Sequence, residues 1–139
     1  MTPRQSIESA CVWQGPDAVV AGCIAILLYG DLDDDLVWAL AGPAARTVLN
    51  GGEGGRNGYW PRVWATRGLL YVWDDSAVPA VASAIYDDAW RVREMAAKVV
   101  AKHLVTDAFE EIVGLRDDPV ARVRAAAQRA LARLTRAGE

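Results

Sequence analysis

The chain has 139 residues, of which 53% are hydrophobic and 24% charged, and it carries a formal net charge of −3 at pH 7. That length buries roughly two thirds of the surface of an unfolded chain, so a single domain over 1–139 with its own core is expected, and the apolar content with small net charge excludes disorder. The six tryptophans are more than composition alone explains.

Taken in chain order, Met1–Ala10 holds Arg4 and Glu8 but no apolar stretch of a secretory leader, so a cytoplasmic protein is expected. The longest apolar run, Ala18–Tyr29, is interrupted only by Gly22 and is far shorter than the ~20 residues of a membrane span. It predicts a buried helix that starts at Pro16-Asp17. Cys11 and Cys23 are too few for a disulfide framework and lack the partners of a zinc site, so both read as small core residues, with no metal and no cofactor expected. Asp33–Asp35 opens a further helix, Leu36 to about Leu49, which Gly42-Pro43 must kink or break. The three carboxylates read as a solvated cap, because consecutive positions cannot all face one ion. Asn50–Pro61 contains five glycines without the GK[ST] of a phosphate loop or a GxGxxG after a strand, and it reads as a flexible insertion.

The second half repeats. Asp87–Leu104 aligns with Asp117–Leu134: the Asp pairs match at an offset of 30 and the triplets Arg91-Val92-Arg93 and Arg122-Val123-Arg124 at 31, which implies one extra residue in the second turn. Val92, Ala96 and Val100, like Val123, Ala127 and Leu131, recur every four residues and share one helix face. A third copy begins at Arg62-Val63-Trp64, aligned at an offset of 29, and shorter amphipathic stretches lie at Ser76–Tyr86 and Asp107–Leu115. The unit is a short helix, an Asp-rich turn and a longer helix. Asp74/Asp75, Asp87/Asp88 and Asp117/Asp118 are expected to cap the helices that follow them, with Pro119 in a first turn. Charge divides with the repeats: residues 1–88 carry 5 Lys+Arg against 11 Asp+Glu, and residues 89–139 carry 10 against 7, giving −6 and +3.

This pattern, DD followed by RVR, small residues at mid-helix and an aliphatic close, resembles the HEAT-like repeats, in particular the short bacterial form seen in phycobilin-lyase-type HEAT proteins. The stretches LAGPAARTVL, GYWPRVWATRGLLYVWDD and WRVREMAAKVVA are also similar to those of small HEAT-repeat proteins from high-GC actinobacteria. The resemblance implies an all-α fold, an αα-superhelix of the HEAT or armadillo type. About three helix pairs are expected, with regular repeats over 61–136 and an irregular helical cap and Gly-rich loop over 1–60. It further implies that turn aspartates and VR arginines bond along the stack, here Asp87 or Asp88 with Arg93 and Arg124.

Catalysis by a nucleophile or an acid–base pair needs convergent groups, and the single histidine, His103, closes a helix where the other copy has Leu134. Two other clusters remain. Trp60, Trp64 and Tyr71 are spaced to share a helix face, with Arg67 three residues after Trp64; they either fill the core beside the N-terminal helices or form a recognition surface of Tyr59, Trp60, Trp64, Arg67 and Trp90. Arg93, Lys98, Lys102, Arg124 and Arg129, with Arg91, Arg122 and Arg133 beside them, form a basic strip on the last two long helices. The leading expectation is a non-enzymatic bacterial interaction module that holds a protein partner in the groove lined by the second helices. Nucleic-acid binding by the basic strip is the alternative, self-association through apolar end faces is a further one, and no membrane contact is expected. A chromophore-lyase reading rests on fold analogy and needs a pocket where Cys11 or His103 meets the tryptophans.

Overall fold

The computed structural model describes residues 1–138, and among them there are nine α-helices and no strand. α1 (Pro3–Gln14) starts at a capping box, in which Thr2 accepts from the Gln5 amide and Gln5 accepts from Thr2. The apolar pattern of the sequence gives no hint of α1, since only Ile7 and Ala10 are buried. Gly15, at φ 88°, turns the chain through a 115° bend into α2 (Pro16–Tyr29). α3 (Asp34–Ala41) is capped by Asp33, whose carboxylate accepts from Leu36 N at 3.0 Å. The expected break falls at Gly42 (φ 64°) and Pro43, after which α4 (Ala44–Leu49) resumes. No single helix among the described residues is long and apolar enough to cross a membrane.

The glycine segment carries local structure. It contains one 3-10 turn, Gly55–Asn57, and Arg56 Nη2 reaches both carboxylate oxygens of Asp34 at 2.9 and 3.0 Å. The acidic cluster therefore divides its work between capping α3 and tethering this segment.

Five helices follow: α5 (Trp60–Gly68), α6 (Val78–Ile85), α7 (Trp90–His103), α8 (Phe109–Gly114) and α9 (Ala121–Ala137). α5 packs on α7 and α7 on α9, while α6 and α8 pack behind α7 and α9, an αα-solenoid arrangement. α1 and α3 close against each other and against the α5 end, and one cluster of buried side chains runs from Ile7 to Leu134. Small residues set the spacing. A Cβ on Gly68 would lie 2.8 Å from Leu40 Cδ2 and 3.2 Å from Cys23 Sγ, so the bare glycine lets α5 sit against α2 and α3 without displacing either side chain. Cys23 is fully buried there, and burial pushes its thiol pKa up to about 12, which keeps it inert.

The repeat register differs from the one the sequence strings suggest. Arg62 donates from Nε and Nη2 to Asp87 at 2.6 and 3.2 Å, and Arg93 donates in the same way to Asp118 at 2.7 and 3.2 Å, each spanning 25 residues. Arg62, Arg93 and Arg124 are thus equivalent at an offset of 31, not 29, and the buried Pro61, Ala65, Thr66 and Leu69 match Val92, Ala96, Ala97 and Val100. Aligning on the RV dipeptide misplaces the first copy by two residues. The aspartates shift too: Asp87 and Asp118 accept from the amides of Ala89 and Val120, two residues on, so they are equivalent at 31 and no extra turn residue is needed. Neither is an N-cap, since α7 and α9 begin after Ala89 and Val120, and Pro119 lies before its helix. Each aspartate instead fixes the turn and receives the arginine of the preceding unit. The expected bonds of Arg93 and Arg124 to Asp87 or Asp88 take another form: Arg93 Nη1 donates to the carbonyls of Asp87 (2.8 Å) and Asp88 (3.0 Å), and Arg124 Nη1 to that of Asp118 (2.7 Å).

Candidate functional site

At the 31-residue register the first turns of α5, α7 and α9 present Tyr59-Trp60, Trp90-Arg91 and Ala121-Arg122 in equivalent places. The side chains interleave. The Arg91 guanidinium lies 4.4 Å from the centroid of Trp90, 5.6 Å from that of Trp60 and 6.0 Å from that of Tyr59. The Arg122 guanidinium lies over the same Trp90 ring, 5.0 Å from its centroid. Tyr59 tilts against Trp60 at 5.1 Å, and Trp60 stacks on Trp64 at 6.1 Å and 25°. Alternation of rings and guanidiniums is favourable because the ring face is electron-rich, at about 0.5–1 kcal/mol per exposed contact.

The arginines around this row differ in what they bind. Arg62, Arg93 and Arg124 are held by aspartates or main-chain carbonyls, and Arg122 donates to Glu94 at 2.9 and 3.1 Å. Arg91 makes no hydrogen bond and no ion pair among the described residues. It borders a surface cleft of about 360 Å³, lined also by Tyr59, Arg62, Asp88, Ala89 and Trp90.

The expected recognition set is therefore divided. Tyr59, Trp60 and Trp90 meet in this row, half-buried. Trp64 is buried at 6% exposure, because it faces α4 and serves as the floor under Trp60. Arg67 turns away to donate to the Leu40 carbonyl at 2.8 Å; burial lowers its pKa, with Tyr71 opposing, and its Nε has no partner. Tyr71 lies beyond the end of α5 and shares no helix face with Trp60. Arg91, absent from the expected recognition set, is the group at the centre; the signal for it was the 31-residue equivalence of positions 60, 91 and 122.

The basic strip is likewise reduced. Arg93 and Arg124 are engaged in the stack, Lys98 lies 3.8 Å from Glu94, and Lys102 and Arg129 are exposed. The carboxylate of Asp118 feels burial, which alone would raise its pKa, but the bonds from Arg93 and Val120 and the charges of Arg93 and Arg124 hold it below its ordinary value.

His103 does meet a tryptophan, stacking on Trp73 at 4.5 Å and 13° beside a cleft of about 490 Å³. Its Nε2 donates to the Leu69 carbonyl at 2.7 Å, and no hydroxyl or thiol among the described residues is bonded to it. Burial lowers its pKa; the Leu69 bond opposes that and Lys102 reinforces it. The imidazole is thus a neutral clasp between α7 and the turn after α5. Cys11 lies apart from that cleft, and no group of three His, Cys, Asp or Glu side chains among the described residues is placed to hold a metal ion.

A family model described as HEAT repeats matches residues 59–132 of this chain. No curated protein and no solved structure matches it.

Proposed function

Because the chain belongs to the family of HEAT repeats, we propose that it is a non-enzymatic interaction module that holds a partner protein along the face formed by α5, α7 and α9. HEAT repeats commonly mediate protein–protein contact. The observation that carries the reading is the row of Tyr59, Trp60, Arg91, Trp90 and Arg122, since Trp, Tyr and Arg dominate the energetics of protein interfaces. Binding is favoured over nucleophilic catalysis by the hydrogen bonding of His103, which faces a main-chain carbonyl. It is favoured over nucleic-acid binding by the engagement of Arg93 and Arg124 within the stack. A cytoplasmic module acting through this face is the reading as a whole.

A photo-crosslinking amino acid placed in turn at Lys98 and Arg129, equivalent positions on the proposed face, and at Ser83 and Glu110 on α6 and α8 tests it in the native cell. Crosslinks to another protein from 98 and 129, and none from 83 and 110, are expected. Crosslinks from 83 and 110 alone would overturn the choice of face, and crosslinks between two copies of this chain would replace the partner with self-association.

A further inference from the structure

Within the row, one guanidinium differs from its neighbours in a way that indicates what the partner presents. An arginine offers five N–H donors in a rigid fork, and a planar carboxylate can accept two of them in parallel. Arg62, Arg93, Arg122 and Arg124 each have protein acceptors, whereas Arg91 has none and is held in place only by three aromatic rings. Ring contacts use none of the N–H donors, so the fork stays available to a ligand while the side chain loses less rotamer entropy when one binds.

The charges nearby limit the ligand. Asp88 lines the same cleft, so a run of acids or a polyphosphate strand would meet negative charge beside Arg91. The Trp90 ring is already engaged by Arg91 and Arg122, whose guanidinium carbons lie 4.4 and 5.0 Å from its centroid. Tyr59 and Ala89, by contrast, line the cleft next to Arg91 with apolar surface.

We propose that Arg91 and its cleft form the carboxylate subsite of this face, taking one Glu or Asp side chain of a partner segment with an apolar side chain beside it against Tyr59 and Ala89. The proposal rests on the interaction reading above. A partner that binds this face without an acid would remove the subsite and leave that reading standing.

The test uses the full chain labelled with ¹⁵N, whose tryptophan indole signals are followed on titration with the acetylated, amidated peptide Gly-Leu-Glu-Leu-Gly. Expected are saturating shifts of the Trp60 and Trp90 indoles with Trp13 and Trp38 unmoved. Affinity should fall about 10-fold when Gln replaces Glu in the peptide, and about 10-fold in Arg91→Gln, with Arg91→Lys between. Equal affinity for the Glu and Gln peptides, an unchanged Kd in Arg91→Gln, or no shift up to about 10 mM peptide would overturn the subsite. Tighter binding of inorganic phosphate or of a ten-residue thymidine oligonucleotide would overturn it as well. If crosslinks from 98 and 129 persist while any of these results is found, only the carboxylate assignment falls.

Discussion

Arg91 and Arg93 leave the first turn of α7 two residues apart and enter two different regions of the molecule. Arg93 belongs to an inner row with Arg62 and Arg124, where Asp87 and Asp118 connect successive units; the Arg93 and Asp118 side chains are 14% and 4% exposed. Arg91 belongs to the outer row of rings and guanidiniums, where the Arg122 side chain is 65% exposed and Arg91 has no acceptor. The same residue type thus serves cohesion where a carboxylate waits 25 residues on, and where its neighbours are aromatic it is left free for the recognition role proposed above.

The largest expected effect is in the inner row. Asp118→Ala removes the carboxylate that accepts from Arg93 Nε and Nη2 and from the Val120 amide, leaving a largely buried guanidinium with only the Asp87 and Asp88 carbonyls on Nη1, and should lower unfolding free energy by about 3 kcal/mol in urea denaturation. Asp87→Ala does the same to the more open Arg62, with side-chain exposures of 29% and 11% for the pair, and should cost about 1–2 kcal/mol by the same measurement. A loss as large as that of Asp118→Ala would mean that burial does not grade the inner row. Asp118 also gives this row a pH dependence. Its folded pKa lies below the ordinary 3.8, so its contribution is present above that value and is lost as pH falls through the folded one. Asp118→Asn should flatten the decline of the urea midpoint below about pH 4, and an unchanged slope would place the acid sensitivity elsewhere. In the outer row the effects are smaller. Arg122→Gln leaves the buried Glu94 with Lys98 at 3.8 Å and should cost about 1 kcal/mol. Arg91→Gln removes only contacts to rings and should cost about 0.5 kcal/mol. A loss near that of Asp118→Ala would make Arg91 a structural residue and erase the contrast.

Much of the helix layout was legible because apolar spacing and turn residues carried it: the break at Gly42-Pro43 and the helices α6 to α9 follow from the pattern alone. α1 was not, since it buries too few residues to leave a periodic trace. The register of the first repeat was hidden because Pro61 stands where the other copies have Val92 and Val123, so the repeated string points two residues away from the shared ion pair. At the site, Tyr59, Trp60 and Trp90 were legible as interface-type residues, but Trp64 and Arg67 were not separable from them. Which side of α5 meets α2 and α3 depends on the close approach at Gly68, and no local spacing encodes that.

The division of labour between the two rows is tested most directly by comparing Arg91→Gln and Arg93→Gln for both urea midpoint and Glu-peptide affinity at the Trp60 and Trp90 indoles. The account predicts that Arg91→Gln loses binding with little change in midpoint, and that Arg93→Gln lowers the midpoint while the folded protein still binds. Binding lost in Arg93→Gln and kept in Arg91→Gln would contradict it.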